Sequence, residues 1–143
     1  MLPPNCYDLF IIHSWKYVND YNELIKLLDE NQTFCYTNYS TTPEHNILPA
    51  NTVVDDAVLS QELKNLIEKA QIIVIIAGMY TMYSRWIEYE FETAKSLNKP
   101  IIAIRPIKNS RIPKKISANA NAVVSWNGES LIASIEALSH KTP

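Results

Sequence analysis

The chain has 143 residues, of which 47% are hydrophobic and 20% are charged, and this length and composition are typical of one globular domain. The net charge of -2 gives no basic surface of the kind that nucleic-acid partners require. The two glycines, Gly78 and Gly128, are too few for a Rossmann fingerprint or a phosphate-binding P-loop, so a nucleotide ligand would have to be held by side chains and loops.

Strands and helices are predicted to alternate along the whole chain. Short apolar runs, of which IIVIIA is the strongest, indicate strands, and apolar residues at helical spacing indicate helices. In chain order the elements are strand 7–12, helix 18–30, strand 34–36, helix 55–69, strand 72–77, helix 84–98, strand 101–105, an unclear stretch at 107–117 with room for a short helix, strand 122–125 and helix 130–138. This alternation is typical of a three-layer α/β fold with a parallel sheet covered on both faces, and five strands favour the flavodoxin-like order 2-1-3-4-5.

One domain is expected to span residues 1–143, with tails at 1–5 and 140–143 and no interior linker or repeat. The polar stretch 37–52 is expected to form a long loop after the second strand. Loops of that length inside a compact domain are usually functional.

The apolar runs and the cysteines bear on where the protein works. The longest apolar run, 72–79, is too short to cross a bilayer, and the N-terminus has no signal-peptide pattern. We therefore expect a cytoplasmic protein without a membrane partner. In a reducing cytosol, Cys6 and Cys35 are expected to be two buried thiols.

The strand order predicts where a ligand would bind. In open parallel sheets the sites lie beyond the carboxyl ends of the strands, at the point between strands 1 and 3 where the order reverses. Here His13 and Ser14 follow strand 1, Tyr80 follows strand 3, and Asn38 and Tyr39 begin the long loop. These side chains are candidate ligand contacts. The alternatives are a satisfied histidine at a strand end, a turn role for the two loop residues, and packing for the tyrosine.

Helix 84–98 places one carboxylate on the face that should meet the sheet. Its solvent-facing stripe consists of Glu88, Glu92, Lys95 and Lys99, in which the lysines offset the repulsion between the acids, and its inner stripe consists of Ile87, Phe91 and Ala94. Glu90 lies on the inner stripe, where a carboxylate is costly unless it is paired or placed at a cleft. We expect the helix N-terminus to help keep it ionised. The alternative is a carboxylate bonded to a backbone amide or to a neighbouring Arg.

Several segments resemble TIR domains. YDLFIIHSW resembles their first strand, SRWIEYE their third-helix motif, and KPIIAIRP the strand that follows. In NAD-cleaving TIR domains a Trp precedes the catalytic Glu by four residues, and Trp86 and Glu90 have that spacing. With NYS after strand 2 and GMY after strand 3, the chain most resembles the bacterial TIR-like branch that includes the sensor of Thoeris anti-phage defence systems.

The resemblance implies an enzyme that cleaves NAD between nicotinamide and ribose, with NAD as its substrate and no cofactor. Glu90 would stabilise the oxocarbenium-like transition state. Candidates for substrate binding are His13, Ser14, Asn38, Tyr39, Tyr80, Arg85 and Trp86. The product would be an ADP-ribose-derived signal for a separate effector protein, and TIR enzymes often assemble as homo-oligomers. No metal is expected, because the scattered His and Cys residues lack ligand spacing.

The chain departs from the TIR pattern at three positions. Ile12 stands in place of a Ser, Ile87 in place of a Cys, and Asn38 where many TIR domains have an acidic residue. None of these changes removes the glutamate. They therefore bear on the contacts to the substrate rather than on the class of reaction.

Other functions fit parts of the same pattern. A TIR adaptor that acts only through domain contacts would not need the Trp86–Glu90 spacing. A nucleoside deoxyribosyltransferase-like enzyme shares fold features and also uses a Glu. A two-component receiver domain needs an Asp at the end of strand 3, where this chain has Ala77 and Gly78, and is excluded. The adaptor and the deoxyribosyltransferase-like enzyme stay as alternatives.

Overall fold

A parallel sheet forms the centre of a computed structural model of the chain, which describes residues 6–13, 18–40, 56–78, 85–106 and 112–139. Its strands within those residues are β1 (Cys6–Ile12), β2 (Cys35–Asn38), β3 (Ile72–Ile76), β4 (Ile101–Ile104) and β5 (Ala122–Val124). Their order is β2-β1-β3-β4-β5, and every neighbouring pair is parallel. The predicted flavodoxin-like order is confirmed.

Helices alternate with the strands as the sequence predicts. In the described residues they are α1 (Val18–Asp29), α2 (Asp56–Lys69), α3 (Arg85–Ser96), α4 (Lys114–Asn119) and α5 (Gly128–Ser139). The short helix expected within 107–117 is α4, which lies later than predicted, while 107–111 is outside the described residues. Most of the long loop predicted at 37–52 also lies outside them, and its first residues extend β2. None of the described helices is long and apolar enough to cross a membrane.

Alternating side chains divide the core into two layers. Leu9 and Ile11 of β1 point to the face covered by α1 and α5, whereas Phe10 and Ile12 point to the face covered by α2, α3 and α4. All residues of β3 and β4 are buried, as expected for central strands packed on both faces. The continuous apolar runs of these strands follow from that position.

The connections that follow β1 and β3 lead to opposite faces of the sheet. These strands are neighbours, with Ile12 of β1 paired with Ile75 of β3. The chain leaves β1 for α1 on one face and leaves β3 for α3 on the opposite face. Consecutive helices separate at the carboxyl ends of these two strands, and this is the position at which open α/β sheets generally bind their ligands.

The C-terminal end of α3 is fixed by a Schellman-type cap. Asn98 adopts a left-handed φ of 57°. Its N–H donates to the carbonyl oxygen of Lys95, and the N–H of Lys99 donates to that of Ala94. An Asn tolerates this conformation better than most residues, so the helix ends at Ser96 rather than at the predicted residue 98.

Cys6 and Cys35 form a disulfide, so the prediction of two buried thiols is wrong. The two residues are direct partners in the register of β1 and β2, with 4.5 Å between their Cα atoms, a separation that a disulfide spans. Cys6 is exposed and Cys35 is partly buried. Sequence patterns located both strands but not their register, which is what places the sulfur atoms together.

Removing the disulfide is expected to destabilise the fold. It links residues 29 positions apart, and closing a loop of that size contributes about 2–4 kcal/mol through the unfolded state. We expect Cys35→Ser, or reduction of the wild type, to lower the free energy of unfolding by that amount in denaturant titrations. Cys6→Ser is the matched control and should give the same loss. Unfolding curves that do not change on reduction would show that the bond is not present in solution.

Candidate functional site

The inner face of α3 holds Glu90 as predicted from the helical phase. Only 6% of Glu90 is exposed, and its neighbours on that face, Ile87, Phe91 and Ala94, are also buried. By contrast, Glu88 and Glu92 on the same helix are exposed. The sequence pattern thus separates one buried carboxylate from two solvated ones.

Burial controls the protonation of Glu90. Loss of hydration raises its pKa from 4.5 to about 8, because an apolar environment disfavours the charged form. Within the described residues, no hydrogen bond or ion pair involves this carboxyl group, so the alternative of a backbone amide or Arg partner has no support there. Burial therefore opposes the predicted effect of the helix N-terminus, because the raised pKa favours the protonated acid near neutral pH.

The exposed acids of α3 are compensated by Lys95 of the same helix, as expected, and also by a lysine of α4. Lys115 of α4 places its Nζ 3.1 Å from an oxygen of Glu88 and 3.3 Å from one of Glu92. Lys95 adds a pair with Glu92 at 3.6 Å. These exposed ion pairs contribute little stability, but they balance the outer stripe. Among the described side chains, Glu90 is then the acid of this helix without an ion pair.

His13 is a buried neutral side chain at the end of β1. It is 5% exposed, and its Nδ1 lies 3.2 Å from the carbonyl oxygen of Ile11. Its ring stacks on that of Tyr21 in α1, with 4.1 Å between centroids. Burial lowers the pKa of His13 below its usual value, so the imidazole is uncharged at neutral pH. Its Nε2 is buried and has no hydrogen-bond partner among the described residues.

Asn38 belongs to the same cluster. Its Nδ2 donates to the hydroxyl oxygen of Tyr21 at 2.6 Å, and its Oδ1 accepts from the N–H of Ser40 at 2.9 Å. Ser40 in turn accepts from the N–H of Ile11 at 2.6 Å. The structure therefore brings His13 and Asn38 together through Tyr21. These contacts of Asn38 are those of a turn residue, and contact with a substrate stays a prediction.

Sequence analysis assigned no role in the site to Tyr21 or Ser40. Tyr21 occupies an ordinary position on the apolar stripe of α1, so nothing in its spacing distinguishes it from a core residue. Ser40 entered only as the last residue of the NYS segment after strand 2, with no contact predicted for it. Only the folded chain shows that both support the end of β1.

For the other residues predicted to contact the substrate, the structure gives less information. Tyr39 packs against the core on the α2, α3 and α4 face, and its hydroxyl donates to Asp8 at 3.5 Å. Ser14 and Tyr80 lie outside the described residues. Arg85 and Trp86 are in the first turn of α3, but their side chains are outside what the structure describes.

The two buried polar groups lie on helices or strand ends that pack on opposite faces of the sheet. His13 packs on α1, and Glu90 belongs to α3 on the other face. Among the described residues, neither Nε2 of His13 nor the carboxyl group of Glu90 has a hydrogen-bond partner. No cluster of His, Cys, Asp or Glu suited to a metal ion occurs among the described residues.

Comparison with known proteins identifies a family and a set of related folds. A family model described as "Thoeris protein ThsB, TIR-like domain" matches residues 10–111. No curated protein matches the chain. A conserved protein from Enterococcus faecalis V583 is similar in structure, with a TM-score of 0.63 and 13% identity over 92% of this chain and 98% of the other.

Two further solved structures share the fold. The CMP N-glycosidase BcmB from Clostridium botulinum has a TM-score of 0.52 and 12% identity, over 90% of this chain and 98% of its own. A 3-dehydroquinate dehydratase-like protein from Bifidobacterium longum has a TM-score of 0.50 and 14% identity, over 97% and 98%. At such low identities these likenesses concern the fold alone.

Proposed function

This chain belongs to the TIR-like domain family of the Thoeris protein ThsB, and on that premise we propose that it cleaves NAD between nicotinamide and ribose to make an ADP-ribose-derived signal for anti-phage defence. The observation that supports the proposal best is Glu90, a carboxyl group that is 6% exposed and has no ion pair among the described residues. A buried carboxyl group of this kind, on the helix that follows β3, is a candidate for catalysis.

Glu90 would act on the charge that develops at the ribose. As the C1′–N bond breaks, its electron pair moves to the nicotinamide ring, which is already cationic and leaves as a neutral base without a proton. The ribose then has oxocarbenium character, which an adjacent carboxylate stabilises. The positive charge of bound NAD lowers the pKa of a nearby acid. Binding would therefore release the proton that Glu90 holds in the free protein, with its pKa of about 8.

The acceptor decides which product forms. Attack by water gives ADP-ribose, attack by an atom of the adenine or its ribose gives a cyclic isomer, and attack by another small molecule gives a conjugate. In each case the attacking group loses a proton as the new bond forms. A crevice that excludes water favours a signal molecule over hydrolysis. In a Thoeris system this molecule would act on a separate effector protein in the cytoplasm, and a homo-oligomer would complete the enzyme.

A second candidate is an N-glycosidase or deoxyribosyltransferase-like enzyme acting on a nucleotide or nucleoside. The CMP N-glycosidase BcmB shares the fold and acts on the same class of bond. A neutral pyrimidine leaves more readily when an acid protonates it, and the raised pKa of Glu90 suits a general acid. The two candidates thus assign opposite protonation states to the same residue.

Product analysis separates these functions. We expect the full-length protein, incubated with NAD, to release nicotinamide and a second product that mass spectrometry identifies as ADP-ribose, its cyclic isomer or a conjugate. CMP and deoxycytidine, tested in parallel, should remain intact. Release of cytosine without turnover of NAD would instead favour the second candidate. Absence of turnover with any of these substrates, in both dilute and concentrated protein, would support a non-catalytic adaptor.

A further inference from the structure

The tautomer of His13 follows from its surroundings. Nδ1 lies 3.2 Å from the carbonyl oxygen of Ile11, and a carbonyl oxygen only accepts, so Nδ1 bears the proton. Since burial keeps the ring neutral, Nε2 has a free lone pair and no hydrogen. It is therefore a hydrogen-bond acceptor and not a donor.

The position of this acceptor is energetically unfavourable in the free protein. Nε2 is buried without a partner among the described residues, and a buried unsatisfied polar atom destabilises the fold. The ring cannot easily turn away, because it stacks on Tyr21, whose hydroxyl is held by Asn38. The protein thus fixes an unsatisfied acceptor where β1 ends, on the face of the sheet opposite α3.

We propose that Nε2 of His13 accepts a hydrogen bond from an exocyclic amino group on a base of the bound dinucleotide, and that this bond sets base specificity. The inference rests on the proposed function. The amino group is either that of the nicotinamide carboxamide or the 6-amino group of adenine, which present the same chemistry to the acceptor.

The chemistry of a dinucleotide limits which of its groups could donate a hydrogen bond to Nε2. Phosphate oxygens only accept, so they cannot pair with an unprotonated Nε2. The donors of a dinucleotide are its ribose hydroxyls and its exocyclic amino groups. The N–H bonds of an amino group lie in the plane of a flat ring, which suits the edge of an imidazole whose face already packs on an aromatic ring.

Analogues that lack one amino group test the assignment. NAD, 3-acetylpyridine adenine dinucleotide and nicotinamide hypoxanthine dinucleotide would be titrated by calorimetry against Glu90→Gln and against Glu90→Gln combined with His13→Phe. The first analogue removes the carboxamide N–H groups, and the second removes the adenine amino group. In Glu90→Gln one analogue should bind about tenfold more weakly than NAD, the equivalent of one hydrogen bond.

With His13→Phe that difference should vanish, because Phe keeps the ring and removes the acceptor. Its unfolding curve should show equal or greater stability, which separates loss of recognition from loss of folding. His13→Gln, which restores an acceptor, should recover part of the preference.

The results also separate this proposal from the proposed function. If the preference for NAD over an analogue were the same in His13→Phe, the role of His13 alone would be overturned. The same holds if the dinucleotides bind but no variant prefers NAD. Failure of every dinucleotide to bind either variant or the wild type would overturn both.

Discussion

Glu90→Gln is expected to reduce kcat/KM for NAD cleavage by about 10²–10³-fold or more, the usual effect of removing a group that stabilises charge in the transition state. The substitution keeps the size of the side chain and its hydrogen-bonding ability. It removes only the capacity to become an anion beside the developing oxocarbenium ion. Nicotinamide release, measured by chromatography at saturating and at low NAD, gives both kinetic constants.

The pH dependence of the wild type tests the same mechanism. Because kcat/KM reports the free enzyme, it should increase as the pH rises through about 8, the pKa of buried Glu90. The value of kcat should remain high down to a lower pH than kcat/KM does, because bound NAD lowers the pKa of Glu90. If Glu90 instead acted as a general acid on a neutral base, kcat/KM would show the opposite pH dependence and would decrease above this pH.

Glu88→Gln is the matched control for the kinetic experiment. It is the same chemical change on the same helix, but at an exposed residue whose pairing with Lys115 is worth little. This variant should keep both the rate and the pH profile of the wild type. Equal losses in Glu88→Gln and Glu90→Gln, or full activity in both, would remove Glu90 from the mechanism.

Most of the fold follows from periodicity. The runs that form β3 and β4 are apolar throughout because both faces of these strands are covered, and the helical stripes of α1, α2 and α3 match the faces that pack on the sheet. The predictions were wrong in segments where the hydrophobic pattern of the sequence is weak or where a feature depends on distant residues. The edge strand β2 begins and ends later than predicted, α4 has only one buried residue, Ile116, and the Cys6–Cys35 bond depends on strand register.

The site was predictable only in part, for a similar reason. Helical phase is a local property, so the inward position of Glu90 could be derived from the sequence. Its pKa depends on the burial supplied by other elements, which helical phase does not reveal. The support of His13 by Tyr21 and Asn38 joins three separate elements, and no local pattern encodes such a contact. The link between Glu90 and NAD came from family resemblance, since spacing has no information about a substrate.

Stability should fall with rising pH because of Glu90. The pKa of this carboxyl is 4.5 ordinarily and about 8 in the folded chain, so between these values the folded state keeps a proton that the unfolded state has lost. Its favourable contribution is complete below pH 4.5 and is lost by the time the pH passes 8. At 1.36 kcal/mol for each pKa unit, the loss reaches roughly 5 kcal/mol at its upper limit.

Glu90→Gln should remove this dependence, because an amide is neutral at every pH. We expect the variant and the wild type to unfold alike near pH 4 and the variant to be more stable by several kcal/mol near pH 9, as urea titrations at each pH would measure. Glu88→Gln again serves as the control and should keep the wild-type slope. If Glu90→Gln were less stable than the wild type at high pH, the carboxylate would have a partner in the folded protein. A stability gain together with the loss of NAD cleavage would instead show that the fold tolerates a destabilising charge because the reaction requires it.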